Sequence, residues 1–86
     1  MNILERANEI VNLRSEEKER MYGSFDESMD SMRDIFNSMT GLNLTTENMF
    51  DAMIALKLSR LKFSYQEDSA LDLVAYTAAK NNYINK

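Results

Sequence analysis

No proline interrupts this chain of 86 residues, and its two glycines, Gly23 and Gly41, stand where one helical pattern stops and another begins. Without proline every residue can donate its backbone N–H, and glycine is the residue that most readily closes a helix. The chain is therefore built for helices with few breaks.

Hydrophobic spacing places those helices. Ile3 to about Arg14 forms the first, with Ile3, Leu4, Ala7, Ile10 and Val11 on one stripe and Arg14 falling beside them. A dense charge run, Ser15 to Arg20, then leads through Met21 and Tyr22 to Gly23. Ser24-Phe25-Asp26-Glu27 has the form of a capping box. Behind it Phe25, Met29, Met32, Phe36 and Met39 recur at alternating steps of four and three, with Ile35 alongside, until Gly41 ends the helix. Such a seam is ordinary core or a helix–helix interface, and soft methionines suit contact with a second copy of the chain. Thr45 caps a third helix running to Phe63, apolar around most of its circumference. Asp68 or Ser69 caps a fourth, reaching about Asn82, and the tail Asn81 to Lys86 is expected to fray. The expected fold is all-α: one domain, residues 1–86, a compact bundle of about four helices that forms homo-oligomers through the Met29/Met32/Phe36/Met39 seam.

Absences narrow the chemistry. No Cys and no His means no thiolate, no imidazole base and no ordinary zinc site, so any metal would be a hard cation held by carboxylates. A net charge of −4 argues against wrapping long nucleic acid, while leaving room for a small anionic ligand gripped by local cations. No apolar run approaches the ~20 residues of a membrane span, and no signal-peptide pattern opens the chain, so the expected location is the cytoplasm.

One conflict stands out. On the third helix Asp51, Ser59 and Lys62 share a narrow polar arc, yet Lys57 and Arg60 lie opposite it, among Met49, Phe50, Met53 and Leu61. Cations on an inward face need partners. Asp68, Asp72 and Tyr76 form a row at i, i+4, i+8 on the next helix, with the small residues Ala75 and Ala79 beside it. One reading is a structural ion-pair cluster that fixes which helix packs where. The other is a polar pocket: Arg14 and Arg60 grip phosphate through their forks, Lys57 supplies a point charge, and Asp72 orients an arginine or accepts from a ribose hydroxyl or base amine. Tyr22 or Tyr76 would stack on the base, with Lys18 and Arg20 close by in sequence.

The runs Glu16-Glu17-Lys18-Glu19-Arg20-x-Tyr22-Gly23, Phe25-x-Glu27-Ser28-Met29, Thr45-Thr46-Glu47-Asn48-Met49, Ile54-Ala55-Leu56-Lys57-Leu58-Ser59-Arg60 and Glu67-Asp68-x-x-Leu71-Asp72-x-x-x-Tyr76 resemble a family of small phage proteins carrying a domain of unknown function. The resemblance spans nearly the whole chain and implies a phage-encoded, all-helical protein. The last helix is also distantly similar to the closing helix of MazG-like all-α nucleotide pyrophosphohydrolases, which hold Mg²⁺ between a Glu-Glu-x-x-Glu helix and a second acidic helix. Here Arg20 stands where the third carboxylate belongs, so the catalytic half of that resemblance is broken.

The leading expectation is a non-enzymatic phage protein that needs no cofactor. It would sequester a small phosphorylated signal of bacterial defence, a cyclic nucleotide or ADP-ribose-type messenger. Its rivals are a degenerate Mg²⁺-dependent pyrophosphohydrolase and a protein–protein inhibitor whose ion cluster is purely structural.

Overall fold

The computed structural model describes residues 2–12 and 23–86. Among them stand four helices and no strand: α1 Ile3–Asn12, α2 Phe25–Thr40, α3 Thr46–Phe63 and α4 Glu67–Ile84. The architecture is all-α, and no described helix is long and apolar enough to cross a membrane.

The helix ends follow local chemistry. Ser24 Oγ accepts the backbone N–H of Glu27, and Gly41, at φ 72°, closes α2 by donating its N–H to the Asn37 carbonyl. The reciprocal capping box falls at α3: Asn48 N–H donates to Thr45 Oγ1 at 3.1 Å, and Thr45 N–H donates to Asn48 Oδ1 at 3.0 Å. The start of α4 departs from the expected cap. Gln66 occupies it, and Ser69 Oγ reaches back to donate to Gln66 Oε1 at 2.9 Å. The tail departs too. α4 stays helical to Ile84, because Tyr83 packs on the fully buried Phe50 ring at 5.5 Å and Lys86 pairs with Asp26.

The organising helix is α4 rather than α3. α1 and α3 both pack along α4, α2 packs chiefly on α3, and α2 also touches α4. Between Ser69 and Lys80 only Thr77 is exposed, whereas α3 leaves Leu56, Leu58 and Phe63 in solvent. Side-chain size explains the exchange of roles. Ala75 and Ala79 let helices approach α4 from two sides, which gives two core clusters. Leu71 and Ala75 meet Ala7 of α1, and Ala79 joins Met29, Met49 and Phe50 from α2 and α3. Leu4, expected on the inward stripe of α1, is exposed.

The α2–α3 connector doubles back along α2. Asn37 holds Leu44 at both ends of its backbone, accepting from its N–H at 2.9 Å and donating to its carbonyl at 3.0 Å. α3 therefore starts level with Asp30 and Arg33, where the buried Thr46 hydroxyl donates to Asp30 Oδ1 and accepts from Arg33 Nη1, each at 2.6 Å. Met49, Phe50 and Met53 share the core cluster that α2 enters with Met29, so the contact with α2 falls on the first half of α3.

Candidate functional site

Lys57 points into the protein. Its side chain is 10% exposed, and its Nζ lies 3.1 Å from Asp72 Oδ2, whose side chain is 42% exposed. The pairing follows from the hairpin that α3 and α4 make around Ser64-Tyr65-Gln66: Lys57 sits two turns before the bend and Asp72 just under two turns after it. An ammonium carries three donors. Among the described residues Asp72 is its one ionic partner, and that carboxylate reaches water.

Arg60 and Asp68 lie one turn nearer the hairpin tip, and both are exposed. This corrects the inward placement of Arg60. On a helical wheel it falls beside Met49 and Met53, but it lies beyond the half of α3 that meets α2 in the core. Neither Arg60 nor Asp68 makes an ion pair with another described residue, so the expected four-membered cluster reduces to one pair with two solvated flanking charges. Tyr76, one turn beyond Asp72, is half-buried, and its ring meets Phe25 edge-on at 5.5 Å. It backs the site as part of the core that links α4 to α2. Arg14, Lys18, Arg20 and Tyr22 lie outside the described residues.

The Met29/Met32/Phe36/Met39 seam divides. Met29 is core, Met32 is half-buried, and Phe36 and Met39 lie on the surface. No group of three or more Asp or Glu among the described residues is placed to hold a metal ion.

The polar constellation that inspection of the sequence passed over is Asp30–Thr46–Arg33. Arg33 also bonds Asp34 through Nε at 2.9 Å, and that hydrogen bond raises its already high pKa. Its signal in the sequence is Asp30-x-x-Arg33, a helical i, i+3 pair, on the helix before Thr46. Two further ties, Arg6 to Glu67 and Lys80 to Asp51 at 2.6 Å, fasten α1 and α3 to α4.

In chemical terms the Lys57–Asp72 centre offers a directed ammonium, an acceptor carboxylate open to solvent, and a guanidinium one turn away. That set suits an anion bearing hydroxyl or amine donors. No curated protein and no solved structure matches the chain. Residues 2–84 match the family model described as a domain of unknown function, DUF6378, and the chain belongs to that family.

Proposed function

We propose that this protein is a phage-encoded, non-enzymatic binder of small nucleotides that sequesters a phosphorylated messenger of bacterial antiviral defence. A cyclic nucleotide or an ADP-ribose-type molecule has the required chemistry. The observation that carries the reading is Lys57: an inward-pointing ammonium whose one ionic partner among the described residues is the half-exposed Asp72. In this reading Lys57 and the solvated Arg60 meet phosphate, and Asp72 accepts from a ribose hydroxyl or a base amine. Calorimetric titration with cyclic mononucleotides, cyclic dinucleotides and ADP-ribose tests it. Binding should be abolished by Lys57→Met in a protein that still folds. Affinity no tighter than about millimolar across the panel, about 4 kcal/mol, overturns it.

The direct 3.1 Å contact favours a second reading, in which the pair only locks α3 against α4. The same titration separates the two.

A further inference from the structure

We infer that two copies of this chain pair through the edge of α2 that carries Ile35 and Met39, with the two helices antiparallel. This inference rests on residues outside the Lys57 site and stands apart from the nucleotide reading.

The edge is apolar, and no described residue covers it. α2 turns Met29 into the core, while Ile35 is 58% exposed, Met39 78%, and Leu42, just past the Gly41 cap, 53%.

The shape is self-complementary. Ile35 and Met39 are an i, i+4 pair that forms a ridge along the helix. A shallow groove of about 320 Å³ runs on one side, lined by Ser28, Ser31, Met32 and Phe36 as well as the ridge. A second, of about 360 Å³, lies on the other, where Asp34 and Ser38 meet the same ridge. A ridge beside a groove fits its own copy under a two-fold axis, and the serines let the second backbone come close.

Charge selects both the occupant and its direction. Asp26, Glu27, Asp30 and Asp34 all lie in the first ten residues of α2, and no charged residue occurs from Ile35 to Thr46. The single cation of α2, Arg33, is taken up by Asp30, Asp34 and Thr46. A phosphate-bearing or acidic partner finds no counter-charge on this edge. Two copies set parallel would bring Glu27 and the net-negative first half of α2 onto their own kind. Set antiparallel, each acidic half meets the partner's uncharged half, with Ile35 and Phe36 near the axis, Leu42 opposite the partner's start of α2, and the Asp34 carboxylates beside the axis each bonded to their own Arg33.

Sedimentation velocity on the full chain across a concentration series tests the pairing. The expected result is a shift from 10.0 kDa toward about twice that mass over the micromolar range, the weak end of what standard protein interfaces give. Met39→Glu should remain monomeric at every concentration with unchanged helical circular dichroism. A wild-type chain that stays monomeric at millimolar concentration overturns the inference and leaves the edge to a foreign partner. So does a Met39→Glu chain that dimerises like the wild type. The chain has no native cysteine, so direction can be read separately. Under oxidation Ile35→Cys should form a disulfide-linked dimer and Leu42→Cys should not. Efficient cross-linking at both positions indicates parallel helices and overturns the antiparallel arrangement.

Discussion

Lys57 and Asp72 meet at 3.1 Å across the α3–α4 interface, but they are unequally buried: the lysine side chain is 10% exposed and the aspartate 42%. The two halves of the pair should therefore respond differently to mutation. Asp72→Asn leaves an ammonium inside the protein with a weaker acceptor and should cost about 1–3 kcal/mol, moderated because the site reaches water. Lys57→Met removes the buried charge, fills its space with a flexible apolar chain and should change stability by less than about 1 kcal/mol. Urea denaturation of both variants checks the order, and a Lys57→Met protein less stable than Asp72→Asn would contradict it.

Thr46 joins α2 to α3 through one hydroxyl, which donates to Asp30 and accepts from Arg33 at 2.6 Å each. Thr46 itself is 2% exposed, while the Arg33 and Asp30 side chains are partly exposed and lie 3.5 Å apart, so water and the ion pair only partly replace the hydroxyl when it is removed. Thr46→Val should destabilise by about 1–3 kcal/mol, the cost of leaving such groups unsatisfied. For a domain of this size that lowers Tm by roughly 5–20 °C. Thr46→Ser keeps the hydroxyl and should recover most of the loss in the same thermal melt.

These two sites also separate what the sequence discloses from what it does not. Ser24, Gly41 and Thr45 act on backbone groups within four residues of themselves, so their positions are legible from the local sequence alone. The Lys57–Asp72 pairing was legible too, because a short hairpin fixes which turn of α4 faces which turn of α3. Arg60 was misplaced for a longer-range reason. A helical wheel gives direction but not how far along a neighbour extends, and that depends on the connector folding back to Asn37. The same gap hid the central role of α4. A run of large apolar residues, as in α3, advertises burial, whereas Ala75 and Ala79 become buried only when other helices supply the bulk.

Gly41 sits at φ 72°, and a Cβ added there would meet nothing within 4 Å. The cost of Gly41→Ala is therefore conformational alone, about 1 kcal/mol for a left-handed non-glycine residue. Gly41→Asn should lose less, since asparagine tolerates this region. Gly23, at φ 76°, differs because an added Cβ would lie 3.1 Å from Glu27 Cβ as well as 2.7 Å from Glu27 Oε2, and only the flexible carboxylate end can swing away. Gly23→Ala should cost slightly more than Gly41→Ala, and adding Glu27→Ala should recover little of the difference, because alanine keeps its Cβ. Equal losses for the two glycine variants in chemical denaturation would count against the contact with Glu27.

The last turn of α4 is held by side chains, and part of that hold is set by pH. Tyr83 lies against Phe50, Lys86 pairs with Asp26, and one turn earlier Lys80 pairs with Asp51 at 2.6 Å. The pKa values of Lys80 and Lys86 are both raised above the ordinary 10.5, first by hydrogen bonds to Asp51 and Asp26 and then by the charge of those carboxylates. A base whose folded pKa is raised contributes stability that is complete below the unfolded value and is lost as pH climbs through the folded one. Stability should thus hold from neutral pH to about 10 and fall above about 10.5 as both ammonium groups deprotonate. The double variant Lys80→Met/Lys86→Met should show a shallower alkaline fall in thermal melts. Tyr83→Ala should instead lower stability by about 2 kcal/mol at every pH, because what it removes is ring packing on Phe50. An alkaline limb of the same slope in the double-lysine variant and the wild type would show that these two ion pairs do not set it.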